Sequence, residues 1–141
     1  MPLLPQSIRH RRSAGFAERT RRQGRHLAPV NSVNPNNFSH RTPAQAQEEW
    51  AAKKIAAAAW LDDSSGTIGH LYGMQTTPHT FVIDKNGVLV YAGAIDNKPD
   101  PEHDPRTARN YVREAVDALL AGKPVAVSRT KPYGCGIKYA D

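Results

Sequence analysis

Cys135 is the one side chain in the sequence suited to thiol chemistry, and it stands alone. A single cysteine excludes an internal disulfide, a Cys-x-x-Cys motif and any multi-cysteine zinc site. It lies between Gly134 and Gly136, with Lys131 and Lys138 nearby. Two readings stand: a resolving or mixed-disulfide thiol, or an ordinary free thiol. Of the six histidines, His70, His79 and His103 are the ones weighed as metal ligands. No two of them have the i, i+4 or short-loop spacing of a zinc site, so no metal site is expected. Asp62, Asp63 and Asp96 read as turn and cap residues rather than as a catalytic carboxylate pair. Trp50 and Trp60 read as core residues. There is no phosphate-binding glycine loop and no nucleophile elbow, and no cofactor is expected.

The stretch around Pro78 is the most ordered part of the pattern. Phe81 to Asp84 is apolar and β-branched, which suits a buried strand. Asn86-Gly87 takes positive φ cheaply and reads as a hairpin turn, with Val88 to Tyr91 returning antiparallel. Proline has no N–H, so Pro78 belongs at the entry of the first strand. That places Thr77, Pro78 and His79 on the loop before it.

The remaining elements frame this hairpin. Leu27 to Val33 reads as a short strand. Thr42 caps a helix with Pro43 at its first position and Gln45 reaching back. Helix propensity alone carries that helix through Ala59. Asp62 to Ser65 breaks the chain and caps a short helix over Thr67 to Tyr72, with Ile68, Leu71 and Tyr72 inward and Gly73 past its end. Asp104-Pro105 opens a longer helix. In it Ala108, Tyr111, Val112, Ala115, Val116, Leu119 and Leu120 repeat at helical spacing, with Gly122 as the stop.

Charge divides the chain. Residues 1–30 carry seven arginines and one acid, whereas the rest is balanced, so the net charge of +6 belongs to the N-terminal arm. Residues 1–29 show no period and are expected to be disordered. Four readings of the arm stay open. It binds anionic, phosphate-rich polymers weakly; it targets an organelle; it is a translated stretch outside the true domain; or it is a solvated tail. No apolar run approaches the ~20 residues that span a bilayer, so no membrane partner is expected, and the cytoplasm is the expected compartment.

The segment Thr77-Pro78 before Thr-Phe-Val-Ile-Asp, then Asn-Gly, then Val-Tyr-Ala-Gly-Ala-Ile-Asp resembles the C-terminal half of a thioredoxin-like redoxin domain. It is similar to the alkyl hydroperoxide reductase/thiol-specific antioxidant type. The resemblance runs from about Asn31 to Tyr139. It implies an α/β, thioredoxin-like mixed sheet with flanking helices, incomplete at its N-terminus. Residues 1–29 would then be an arm, 30–123 a partial domain, and 124–141 a C-terminal extension ending in the family's Gly-Cys type of segment. It also ends the first helix near Lys54 and places a strand around Ala57 to Leu61.

The resemblance further implies a cis Thr77-Pro78 bond that leaves the Thr77 backbone free for an extended partner strand. Thr77, Pro78 and His79 would dock a protein thiol or disulfide, or a peroxide substrate, by strand addition. The family's nucleophile cysteine precedes the strand at Leu27 to Val33, and this chain has no cysteine there. The implied function is therefore thiol-disulfide oxidoreductase or antioxidant, weak or inactive in this chain, with Cys135 as an accessory thiol. A non-enzymatic binding module with a basic arm, or a truncated gene product, is the alternative.

Overall fold

Thr42 and Gln45 do what their spacing predicts. The Gln45 amide donates to Thr42 Oγ1, and the Thr42 amide donates to Gln45 Oε1, at 3.3 and 3.0 Å. This reciprocal cap starts helix α1, Pro43–Lys53. The computed structural model describes residues 24–100 and 102–140, so the arm expected over residues 1–29 lies mostly outside the described residues. The chain is a mixed α/β protein whose described strands form three two-stranded sheets. It divides into two compact units. One holds residues 24–73 with 138–140, and the other is Met74–Ile137.

In the first unit, strand β1 (Val30–Asn31) pairs in parallel with β2 (Leu61–Asp62). The amides of Ala58, Leu61 and Asp63 donate to the carbonyls of Leu27, Pro29 and Asn31. The strands expected at Leu27 to Val33 and Ala57 to Leu61 therefore run side by side, although only two residues of each are regular strand. Helix α1 stops at Lys53 rather than Ala59. Lys54 takes a left-handed conformation, with its N–H turned to Ala51 and Trp50. Ala46 is the buried anchor of the helix, and Trp50 and Trp60 are half-buried.

The short helix α2 covers Thr67–Leu71, and its N-cap, Gly66, has no side chain to offer. Asp63 supplies the cap instead. Its carboxylate accepts from the Ile68 and Gly69 amides at 2.9 and 2.8 Å, and from the Ser32 hydroxyl at 2.6 Å. Burial opposes the charge on Asp63, but the Ser32 hydroxyl, the two amides and His70 outweigh it and hold the carboxyl below its usual range. The expectation that Leu71 and Tyr72 point inward fails. Leu71 is 80% exposed and Tyr72 38%. The inward face of this single turn is taken by Gly69, where a Cβ would come within 2.5 Å of the Tyr139 ring and 2.8 Å of Ser32 Oγ. Tyr139 also stacks on His70, with ring centroids 4.0 Å apart.

In the second unit, strand β4 (Thr80–Ile83) pairs antiparallel with β5 (Leu89–Gly93), where β3 is Thr76–Thr77. At the turn Asp84 Oδ1 accepts from the Asn86 and Val88 amides, and Gly87 alone takes positive φ. Helix α3, Tyr111–Leu120, lays Tyr111, Val112, Val116 and Leu119 over a core of Val82, Tyr91 and Ala115. It begins seven residues after the expected cap at Asp104. Asp104 instead closes its own turn by accepting from the Arg106 amide and guanidinium, while its carbonyl accepts from the Thr107 amide. Asn97 and Arg109 exchange backbone and side-chain hydrogen bonds, which holds residues 109 and 110 extended against Asp96 and Asn97. Asn110 then caps the helix by accepting from the Arg113 amide at 2.8 Å. At the other end the Gly122 and Lys123 amides return to Leu119 and Ala118, a two-bond C-terminal closure.

Asp63→Asn is expected to lower stability by about 2 kcal/mol, because either orientation of the amide turns an N–H toward a donor. The Asp63 pKa is depressed in the folded chain. The stability it contributes is therefore present above the ordinary value of 3.8 and lost as pH falls through the folded value. Urea unfolding of both proteins between neutral pH and pH ~2.5 checks this, and the Asp63→Asn variant should show the shallower acid loss.

Candidate functional site

Thr77, Pro78, His79 and Cys135 come together in the second unit. The Thr77–Pro78 peptide bond is cis. Just before it, strand β3 pairs antiparallel with β6 (Cys135–Gly136), with Thr76 opposite Gly136 and Thr77 opposite Cys135. The Ile137 amide extends the pairing by donating to the Gln75 carbonyl at 3.2 Å. The expectation that the Thr77 backbone stands free is therefore corrected. The edge is occupied, because the tail after Gly122 folds back along the hairpin instead of trailing into solvent.

The route of that tail follows from hydrogen bonds on β5. The Ala92 amide donates to the Ser128 carbonyl at 3.0 Å, and the Thr130 amide donates to the Ala92 carbonyl at 3.1 Å. The Tyr91 ring is fully buried, and its hydroxyl donates to the Ala94 carbonyl and lies 2.7 Å from Thr130 Oγ1. Burial pushes the Tyr91 phenol up, against the opposing effect of the Thr130 hydrogen bond. Residues 128–137 are thus an integral part of the second unit.

At Gly134 the tail crosses the loop. Its φ is +138°, and a Cβ there would lie 2.3 Å from the Thr77 carbonyl oxygen and 3.3 Å from Pro78 Cδ. No L side chain fits at that crossing without moving backbone. One residue earlier, the Tyr133 hydroxyl donates to Asp96 Oδ1. Asp96 is 8% exposed, accepts from the Lys98 amide at 2.9 Å, and faces His103 Nε2 at 3.3 Å. Burial, and after it the charge and hydrogen bond of Asp96, pushes the Tyr133 phenol far up. The spacing of 96, 103 and 133 carries no signal, so this cluster is not legible in the sequence. Asp96 does act as a turn residue, as expected, but it also ties down the tail. Asp62 serves a turn through Ser64, and Asp63 serves a helix cap.

His79 sits behind the loop. Its Nδ1 accepts from the Gln75 amide at 3.2 Å, and its ring stacks on Phe81 at 4.5 Å. A nitrogen that accepts carries no proton, so the neutral ring holds its hydrogen on Nε2. Within the loop the Thr76 hydroxyl donates to the Pro78 carbonyl at 2.8 Å. Cys135 is exposed. Among the described residues no group of three His, Cys, Asp or Glu side chains could hold a metal ion, and no helix is long and apolar enough to cross a membrane.

Chemically, the arrangement is a two-residue edge at Thr76–Thr77 paired with the segment that carries the exposed Cys135 thiol, with a neutral imidazole two residues beyond Thr77. No protein-family model matches the chain, and no curated protein matches it. Among solved structures, a hypothetical protein from Sinorhizobium meliloti is similar, with 29% identity and a TM-score of 0.79 over 94% of this chain and 71% of that one. An uncharacterized conserved protein from Geobacillus kaustophilus is similar in fold, with 24% identity and a TM-score of 0.80 over 96% and 70%.

Burial depresses the His79 pKa below 6.5. The stability that the neutral ring contributes is therefore present above 6.5 and lost as pH falls through the folded value. In a pH series of NMR spectra the His79 ring should titrate below 6.5, and His79→Phe should remove that share of the pH dependence of stability.

Proposed function

We propose that this chain is a redoxin-related module of thioredoxin-like fold, of the alkyl hydroperoxide reductase/thiol-specific antioxidant type. Its Thr77-Pro78-His79 loop docks extended segments of protein thiol or disulfide partners. The observation that supports this reading is the antiparallel pairing of Thr76–Thr77 with an extended segment, Cys135–Gly136. An edge that forms this ladder with its own chain has the donor and acceptor pattern to form one with another.

The thiol chemistry of such a module is limited by its cysteine count. The Cys135 thiolate would attack a partner disulfide, form a new sulfur–sulfur bond to one partner sulfur, and expel the other as a thiolate. The resulting mixed disulfide has no second thiol within this chain to resolve it. Release requires an external thiol, whose own oxidation balances the reduction of the partner. The module therefore captures or shuttles a partner and has little or no dithiol reductase turnover.

Insulin-disulfide reduction, with dithiothreitol as the external thiol, tests this. The purified chain is expected to leave the rate at the dithiothreitol background. Robust turnover that Cys135→Ser abolishes would overturn the reading in favour of a working reductase.

A further inference from the structure

We propose that the edge of β3 takes an extended segment with glycine one residue before the position opposite Thr77, and that Gly134–Ile137 is its resident occupant. This rests on the docking reading above and adds two things to it: a sequence requirement on the partner, and an internal competitor that the partner must displace.

The glycine requirement is steric. The residue at position 134 passes over the Thr77 carbonyl so closely that a Cβ would lie 2.3 Å from the oxygen and 2.9 Å from the carbon. Both are backbone atoms of the loop itself and cannot swing aside as a side chain would. The positive φ of +138° adds a second penalty for any L side chain. An incoming segment on the same path meets the same carbonyl, so it too needs glycine at that step.

Displacement is built in because the two halves of the tail are held differently. Up to Thr130 it is pinned by the buried Tyr91 hydroxyl and by two backbone hydrogen bonds to Ala92. From Gly134 to Ile137, between the Tyr133 hydroxyl on Asp96 and the Lys138 carbonyl that accepts from the Asn34 amide, it is held by a ladder of two residues on each side and by the Ile137 amide on the Gln75 carbonyl. Gly134, Cys135, Gly136, Thr77 and Pro78 are all exposed. A short ladder open to water is the kind of contact that opens without global unfolding. As an intramolecular competitor it holds off a weak partner, because its effective concentration is on the order of millimolar.

Two readouts on the full chain test the proposal. The first is hydrogen exchange of the Ile137 amide, with the Ala92 amide, which donates to the Ser128 carbonyl, as the marker that the tail's crossing of β5 remains in place. The second is binding of a fluorescent peptide that copies residues 131–138 with Cys135→Ser, which removes disulfide formation. In Gly134→Ala, Ile137 exchange should accelerate at least tenfold while Ala92 is unchanged, and the peptide should bind at least tenfold more tightly than to the native chain. The same peptide carrying Gly134→Ala should bind at least tenfold more weakly. If Gly134→Ala does not fold, Tyr133→Phe, which removes only the tether to Asp96, is measured in its place. Native-chain binding as tight as the variant's, equal binding of the two peptides, or unchanged Ile137 exchange overturns the proposal and leaves the docking reading intact. Accelerated Ile137 exchange with no peptide binding overturns the docking reading itself, and the proposal with it.

Discussion

A phenol with no access to water must find its hydrogen bonds inside the protein, and the second unit is arranged around one. Tyr91 is fully buried against Val82 and Ala115, and it takes the Ala94 carbonyl and the Thr130 hydroxyl as partners. Leaving that hydroxyl unsatisfied would cost about 1–3 kcal/mol. Thr130 is thirty-nine residues away, so satisfying the phenol draws the C-terminal segment onto β5. The Thr130 side chain also accepts from the Ala94 amide at 3.0 Å, and Ala92 brackets the same segment through Ser128 and Thr130. With that crossing set, the tail has few residues in which to reach Asp96 and then Thr77.

The path beyond Thr130 is decided by polar groups and by missing atoms, not by apolar burial. Lys131, Gly134, Cys135 and Gly136 are exposed, and none of them adds to the core. Tyr133 finds Asp96, and Gly134 passes where any side chain would strike the Thr77 carbonyl. The first unit shows the same economy on its own. There Gly69 lets Tyr139 and Ser32 approach α2, and the Asp63 carboxylate closes the helix start that Gly66 leaves open. In both units a buried acid gathers donors from distant parts of the chain.

These constraints shape the functional reading. The single thiol lies opposite Thr77 in the ladder, at the place where the redoxin resemblance puts a docked partner. A thiol in that position makes the tail look like a bound partner segment, held by the chain that owns it.

Several features are legible in the residues because they are local. The Thr42, Pro43 and Gln45 cap, the Phe81 to Tyr91 hairpin around Gly87, and the Gly122 stop each depend on side chains within a few positions of one another. The start of α3 differs from expectation because two local caps compete. Asp104 and Asn110 both suit the role, and pairing of Asn97 with Arg109 across twelve residues settles it in favour of Asn110. The pattern around Leu71 is too short to define a face, and Gly69 takes the inward contact. Thr77, Pro78, His79 and Cys135 each stand out in the sequence, but nothing in their spacing foretells that they meet. Sequence by itself determined which residues cap, turn and alternate, since those effects act over a few bonds. Only the tertiary structure decided that the tail fills the edge of Thr77, because that depends on a buried hydroxyl and a glycine crossing whose partners are far apart along the chain.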